Sequence, residues 1–365
     1  MFSKLESLRG IAACLVILFH SPFNFNSKPI DFVNNSYLFV DFFFILSGFV
    51  MSYAYGSKIS KGLAFQKYII LRLGRIYPLH LFTLIIWLGY ILAKQYLYLA
   101  GYGGGNQYDT ANLPSFISNI LLIHSMGVQP YLSWNYPSWS ISAEFIAYLI
   151  FFIFSLSIDK QKKIYFPLFI SLACYLYLFY LGHSSLYVAH ELGFVRCIAG
   201  FYLGVFLFRL YLHPFEVKSI KTITILEVLS VSLLIFSMNY ATINLYTLTL
   251  TLFSFTFVLL TFSAKNTGLL GGLLETKFMR NLGLWSYSIY MLHAIIIAII
   301  YNIFKFILKF DLETSLGFLA ITVNITIVLI TIVISKYSYI YIEDRFRKII
   351  KTKVDKLQPA NNVRN

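Results

Sequence analysis

The chain has 365 residues, of which 58% are hydrophobic and only 12% carry a charge, a composition too apolar for a soluble domain of this length. Its formal net charge of +14 could indicate a nucleic-acid-binding protein, but the lysines and arginines concentrate in alternate segments between apolar stretches. This distribution is the positive-inside pattern of membrane proteins. It excludes nucleic acid as the expected partner and predicts contact with membrane lipids instead.

Apolar segments of about 20 residues, long enough to cross a bilayer, recur along the whole chain. They predict an all-α polytopic membrane protein with about ten transmembrane helices. The predicted spans are residues 8–24, 36–55, 76–99, 137–157, 164–182, 190–211, 222–240, 244–263, 284–308 and 316–341. A further apolar segment, 115–127, is too short to cross and is predicted to be re-entrant or interfacial.

The distribution of basic residues also predicts the topology. Most lysines and arginines fall on the same side as the chain start when the number of spans is even, so both termini are expected in the cytoplasm. The sequence thus predicts one transmembrane domain over residues 1–345 and a basic cytoplasmic tail over residues 346–365. Contact with an anionic membrane surface is the expected role of that tail.

The first apolar segment, L-R-G-I-A-A-C-L-V-I-L-F-H, contains Arg9 and His20. Their spacing on an α-helix returns to nearly the same face, about 16 Å further along the axis. A histidine at that depth of a bilayer is costly and usually has a function. The alternative is an arginine that extends to the membrane surface and a histidine that only hydrogen-bonds a neighbouring helix. Cys14, between them, is expected to be an inert buried thiol.

The second segment, V-D-F-F-F-I-L-S-G-F, introduces a carboxylate and a pair of small residues. Asp41 lies a few residues inside the predicted span, where a carboxylate is expected to be neutral or to bind a cation. A helix-capping aspartate at the membrane interface is the alternative. Ser47 and Gly48 follow in an aromatic run, and small residues of this kind predict the close approach of another helix.

The third span begins with R-L-G-R-I-Y-P, in which Arg72 and Arg75 are i, i+3 neighbours at a cytoplasmic helix start. Two guanidinium groups held together suit a polyphosphate ligand. Tyr77 lies next to them and is included in the predicted ligand site. The alternative is that both arginines are ordinary anchors at the membrane surface.

Trp139 and Glu144 lie in W-S-I-S-A-E, in a span that enters from the outer side. Glu144 is about two helical turns inside, close to the expected depth of His20, where a carboxylate can orient an imidazole. A hydrogen bond between helices is the alternative for this carboxylate. Arg196 and His293, each within another span, stay open between structural and functional roles. The cysteines and other potential ligands show no metal-binding spacing, so no metal site is expected.

In this order, the motifs resemble those of the acyltransferase-3 family of integral membrane acyltransferases, in particular its bacterial members that acetylate surface polysaccharides. The resemblance covers roughly residues 1–350 and includes Tyr290 and His293 in Y-x-L-H and the closing Y-I-E-x-x-F-R. It implies an O-acetyltransferase of the bacterial cytoplasmic (inner) membrane. It also implies acetyl-CoA as the donor substrate, no permanently bound cofactor, and a hydroxyl group of a cell-surface polysaccharide or lipid-linked oligosaccharide as the acceptor.

The resemblance assigns roles to the residues above. It implies that His20 is the central catalytic residue and that Arg9, Arg72 and Arg75 are needed for activity. We expect these arginines, together with Tyr77, to bind acetyl-CoA at the cytoplasmic mouth of the protein.

The expected chemistry leaves two routes open. His20 acts either as a general base on the acceptor hydroxyl or as a nucleophile that carries the acetyl group. In both routes Asp41 or Glu144 is expected to orient the imidazole and to offset its charge. The supporting residues are expected to be Ser47, Trp139, Arg196 and His293.

A transporter or flippase of lipid-linked glycans or acyl substrates is the alternative function. Several helices with buried charges would suit such a protein. Against it, the sequence contains no recognisable inverted repeat and no paired broken helices.

Overall fold

The computed structural model describes residues 2–21, 31–102, 105–157, 164–213, 217, 219–241, 244–309 and 318–356. This part of the chain folds into helices joined by turns and loops, and it contains no β-strand. Of the predicted basic tail, residues 346–356 belong to the last helix, whereas 357–365 lie outside the described residues.

Helices of very different length follow one another along the chain. The α-helices are α1 (Ser3–His20), α2 (Asp31–Asn34), α3 (Phe39–Met51), α4 (Ser57–Ser60), α5 (Phe65–Leu99), α6 (Leu113–Ile120), α7 (Trp139–Ser157), α8 (Phe166–Tyr180), α9 (Gly193–Tyr211), α10 (Ile220–Tyr240), α11 (Leu245–Ser263), α12 (Leu269–Leu274), α13 (Lys277–Asn302), α14 (Phe318–Ser338) and α15 (Arg345–Lys356). Turns of π-helix extend α3, α13 and α14, over Ser52–Gly56, Ile303–Ile307 and Tyr339–Asp344, respectively.

Eight helical stretches within the described residues are long and apolar enough to cross a membrane. They are Asp31–Ser60, Phe65–Leu99, Tyr136–Leu156, Gly193–Tyr211, Ile220–Tyr240, Leu245–Ser263, Lys277–Ile307 and Ile321–Lys356. The two other predicted spans correspond to α8, which has 15 residues, and to α1, whose 18 residues include Lys4, Glu6 and Arg9. The predicted polytopic all-α class is therefore confirmed, although its spans are less uniform than expected.

The start of α1 lies beside the segment that follows α11. Lys4 Nζ donates hydrogen bonds to two carbonyl oxygens of segment 264–266, at 2.8 Å and 2.9 Å. Arg9 on α1 lies within electrostatic range of Arg75 on α5, and Ile350 of α15 packs against α5 one residue away from Arg75. These contacts agree with the predicted grouping of the basic segments on one side. That this side is cytoplasmic stays a prediction.

The loop between α5 and α7 folds back between the helices. Tyr77 Oη donates to the Ile120 carbonyl oxygen (3.1 Å) and His80 Nε2 to that of Asn119 (2.9 Å), in both cases near the middle of α5. Non-helical backbone at membrane depth is tolerated only where protein or a polar cavity covers it. The segment predicted as re-entrant or interfacial therefore returns to the mid-length of α5, and the end of the loop carries Tyr136 to the candidate site described below.

Helices α1 and α13 touch at the level of their backbones. A Cβ atom added to Gly10 or Gly283 would overlap backbone atoms of the other helix. Small residues permit this close approach, as they do at many helix pairs in membranes. His20 and His293 each stand ten residues after these glycines, so two parallel helices in contact at the glycines bring the histidines to the same height.

Helices α3 and α9 cross in the same manner. A Cβ atom added to Gly48 or Gly204 would overlap a carbonyl oxygen of the other helix. The predicted close approach is therefore confirmed at Gly48, with α9 as the partner helix, whereas Ser47 hydrogen-bonds Glu144 of α7. The same crossing sets Asp41 on α3 opposite Arg196 on α9.

Candidate active site

His20 ends α1 and forms part of the wall of a cavity of about 510 Å³. Aromatic side chains supply much of the wall, namely Phe19, Tyr37, Tyr136, Trp139, Tyr187 and Tyr290. The polar part of the wall comes from His183, His190, Glu191 and Arg196. The loops that contribute to this wall, before α7 and before α9, are those predicted on the outer side of the membrane.

His20 contacts His293 of α13 inside the protein. Its Nδ1 lies 3.1 Å from His293 Nε2 and 3.0 Å from the Val16 carbonyl oxygen. The other ring nitrogen of His293, Nδ1, lies 2.6 Å from the Tyr290 carbonyl oxygen. The Nε2 atom of His20 has no hydrogen-bond partner among the described residues, and the side chain is partly exposed. His293, which the sequence left open between two roles, therefore lies in direct contact with His20.

Tyr290 connects this histidine pair to the segment before α7. Its hydroxyl donates to the Pro137 carbonyl oxygen (3.0 Å) and accepts from Ser140 Oγ (2.9 Å). The Tyr136 ring packs on His20, with 5.2 Å between the ring centroids. Sequence reasoning missed Tyr136, although it directly precedes the P-S-W-S motif.

The structure corrects the role predicted for Asp41. This side chain is buried, and its two carboxylate oxygens bind the Arg196 guanidinium, with Oδ1 at 3.0 Å from Nε and Oδ2 at 2.6 Å from Nη2. Arg196 also donates to the carbonyl oxygens of Val188 (3.2 Å) and Tyr37 (3.3 Å). A buried carboxylate requires such a cation, and the α3–α9 crossing supplies it. Asp41 therefore braces two helices and does not hydrogen-bond His20.

Glu144 also binds partners other than His20. Its Oε1 accepts hydrogen bonds from Tyr148 Oη (2.6 Å) and from Ser47 Oγ. Tyr148 stands one helical turn after Glu144, so the i, i+4 spacing could have predicted this contact. The prediction that Asp41 or Glu144 orients the His20 imidazole does not match the geometry, because the side chain in contact with His20 Nδ1 is His293.

A second polar group lies toward the starts of α1 and α5. Arg9 is in electrostatic range of Arg75, Glu144 and Glu343. Glu343 is buried in the π-helical turn after α14 and accepts a hydrogen bond from Ser288 Oγ (3.3 Å). Arg9 and Arg75 donate no hydrogen bond to any residue that the structure describes, and both are partly accessible. Their guanidinium groups are therefore available to a ligand.

Arg72 and Tyr77, the other two residues predicted to bind the donor, contact different parts of the protein. Arg72 Nη2 donates to Tyr55 Oη (2.6 Å), and the guanidinium lies over the Tyr55 ring, 4.4 Å from its centroid. Arg72 Nε is buried and finds no partner within the described part of the chain. Tyr77 instead bonds the re-entrant segment through its hydroxyl. The structure thus corrects the donor-binding role predicted for Tyr77, which positions a loop.

The family comparison agrees with the motifs on which this site is built. The model of the acyltransferase-3 family, described as an acyltransferase domain, matches residues 2–337. The chain belongs to the acyltransferase-3 family. No solved structure matches the chain significantly.

Two curated proteins resemble parts of this family member. Protein 2 in the picA locus of Rhizobium radiobacter is 36% identical over 101 residues, which are 27% of this chain and 49% of the relative. Acyltransferase MdmB of Streptomyces mycarofaciens is 35% identical over 114 residues, which are 31% of this chain and 26% of the relative. The chain therefore matches about half of one relative and about a quarter of the other.

Proposed function

We propose that the protein is a membrane O-acyltransferase that moves an acetyl group from acetyl-CoA to a hydroxyl group of a cell-surface polysaccharide or its lipid-linked precursor. The observation that carries the proposal is His20, which lines an aromatic cavity and keeps Nε2 free, in a chain of the acyltransferase-3 family. The Streptomyces relative is named as an acyltransferase, which supports the same reaction class. The bacterial cytoplasmic membrane is the location that fits a cytosolic donor and an outer glycan.

The arginines near the start of α1 suit the donor. The guanidinium groups of Arg9 and Arg75 donate no hydrogen bond to a described residue, and the buried Nε of Arg72 has no hydrogen-bond partner among them. Coenzyme A carries phosphate groups, which guanidinium groups bind through paired, charge-assisted hydrogen bonds. From Arg9 the pantetheine arm of a bound donor has about 16 Å to extend along α1 before it reaches His20.

The cavity beside His20 suits a sugar hydroxyl as the acceptor. Its volume of about 510 Å³ lies in the range of small-molecule sites, and its mostly apolar wall carries a few polar groups, as such sites do. Tyr136, Trp139 and Tyr187 offer flat rings against which a sugar ring can pack, and their polar atoms can fix its orientation.

The acetyl group can pass from the thioester to the acceptor hydroxyl by two routes that use His20. The acceptor oxygen attacks the thioester carbonyl carbon while His20 Nε2 takes the hydroxyl proton; the C–S bond breaks, and the proton passes to the CoA thiolate. In the two-step route, His20 Nε2 first attacks the thioester carbonyl carbon, and the C–S bond breaks to release CoA as the thiolate. The acceptor oxygen then attacks the acetyl carbon, the bond from this carbon to Nε2 breaks, and the hydroxyl proton ends on the CoA thiolate. His20 is a base in the first route and a nucleophile in the second, but both routes use the lone pair on its Nε2.

Consumption of acetyl-CoA tests this proposal against a transporter or flippase. Membranes that contain the chain and the host glycans are expected to release CoA thiol from acetyl-CoA, and NMR of the glycan should show new O-acetyl signals. Matched membranes without the chain should give neither signal. Movement of a lipid-linked substrate without CoA release or O-acetylation would contradict the enzyme and favour the transporter.

Replacing Arg75 by glutamine is expected to raise the KM for acetyl-CoA about 10- to 100-fold, because it removes charge-assisted hydrogen bonds to a phosphate. The initial rate of CoA release at a series of acetyl-CoA concentrations measures this change. Arg280→Gln is the matched control, since this exposed arginine donates its Nε hydrogen to the Glu275 carbonyl oxygen. An unchanged KM in Arg75→Gln would remove this residue from the donor site.

A further inference from the structure

We propose that His293 is a positioning residue that, together with the Val16 carbonyl oxygen, holds the His20 ring in a single tautomer and orientation, with the lone pair of His20 Nε2 directed away from the helix contact and available to the acceptor. The inference rests on the proposed function, because it explains how His20 becomes the reacting group. It assigns to a second histidine the orienting role that a carboxylate has in hydrolase triads.

The proton positions follow from the partners of each ring nitrogen. A carbonyl oxygen only accepts hydrogen bonds, so His293 Nδ1, at 2.6 Å from the Tyr290 carbonyl oxygen, carries a hydrogen. A neutral imidazole then has its lone pair on Nε2. His20 Nδ1 lies 3.0 Å from the Val16 carbonyl oxygen and therefore also carries a hydrogen.

These two assignments are mutually consistent. His20 Nδ1–H donates to the lone pair of His293 Nε2 across 3.1 Å, so no two hydrogens meet at the contact. The remaining lone pair of His20 is on Nε2, the ring nitrogen without a partner among the described residues. The cavity wall that His20 helps to form is where a hydroxyl group can reach it. The histidine pair therefore leaves one basic nitrogen, His20 Nε2, for a hydroxyl group that enters the cavity.

His293 connects the His20 ring to a second helix, α13, which no contact within α1 does. Val16 belongs to the same helix as His20, so its carbonyl oxygen does not tie the ring to the rest of the protein. His293 belongs to α13, which the glycine contact of α1 and α13 holds at a short distance. When His20 gains a proton or an acetyl group during the reaction, the ring becomes cationic and its bond to His293 becomes charge-assisted. The contact therefore strengthens in the reacting state, which is the condition for lowering the barrier.

A matched pair of variants, His293→Gln and His293→Met, tests the hydrogen bond separately from packing. Both replacements are unbranched and of similar length, but only glutamine has an oxygen that can accept from His20 Nδ1. His293→Met is expected to lower kcat for CoA release about 10- to 100-fold with an unchanged KM for acetyl-CoA, whereas His293→Gln retains most of kcat. Wild-type kcat in the methionine variant would overturn the proposal, and so would equal losses in both variants.

A spectroscopic measurement tests the tautomer without any activity. In ¹⁵N-histidine-labelled protein in lipid nanodiscs, the imidazole nitrogen signals of His20, assigned by comparison with His20→Ala, are expected to show a protonated Nδ1 and an unprotonated Nε2. In His293→Met the Val16 carbonyl oxygen still accepts from Nδ1–H, so these signals should shift and broaden as the ring loses its contact with α13 and its fixed orientation. A proton on Nε2 of wild-type His20, or an unchanged spectrum in the methionine variant, would overturn the proposal. Failure of the proposed function is seen separately, as wild-type protein that transfers no acetyl group.

Discussion

Replacing His20 by alanine is expected to lower acetyl transfer by at least about 10²- to 10⁴-fold, the contribution of a positioned general base. The loss is complete if His20 instead carries the acetyl group, because no other group then forms the intermediate. The physical reason is the same in both routes, since the variant removes the free lone pair on Nε2. Transfer is measured as O-acetyl signals on the glycan and as CoA thiol released from acetyl-CoA.

A histidine outside the site controls for this substitution. His213 is exposed beyond the end of α9, so His213→Ala should leave the rate unchanged and show that the expression and the assay are sound. Transfer near the wild-type rate in His20→Ala would contradict both routes. Together with normal CoA release, such a result would mean that another group activates the acceptor and that the cavity beside His20 is not the reaction site.

Replacing Asp41 by alanine is expected to lower the free energy of unfolding by about 3–5 kcal/mol, because it leaves the Arg196 guanidinium buried without its carboxylate. The expected signs are a lower midpoint of thermal unfolding in detergent and a smaller yield of monodisperse protein. Asp344→Ala is the matched control. It removes partly exposed ion pairs with Arg347 and Lys348, so about 0–1 kcal/mol for each pair is expected.

A double variant separates the ion pair from its components. Asp41→Leu combined with Arg196→Met removes both charges, and apolar side chains of similar size can replace a buried pair at little cost. The double variant should therefore unfold at a higher temperature than Asp41→Ala. Equal instability of the two would contradict the account of Asp41 as a brace for Arg196, and a fully stable Asp41→Ala would contradict it as well.

Local sequence properties were sufficient for the fold class and for most helix positions. Hydrophobic segments of membrane-spanning length fold as helices in any context that lacks water, because only a helix satisfies their backbone groups internally. Segment 115–127, predicted as re-entrant or interfacial, could likewise be separated from the spans, since it is apolar but too short to cross. The sequence prediction treated α1 and α8 like the other spans. It used apolar length alone, which does not show that α1 includes charged residues in its first turns or that α8 is short.

The sequence is enough to recognise which polar residues are exceptional, because an ionisable group inside a membrane is costly wherever its partner lies. Arg9, His20 and Arg196 could be recognised on that ground. The partners of these residues follow from the packing of the helices against one another. His20 contacts His293, which is 273 residues away along the sequence, and Arg196 binds Asp41, which is 155 residues away. Such pairings depend on the glycine contacts at which helices cross, and they leave no periodic signal within either helix.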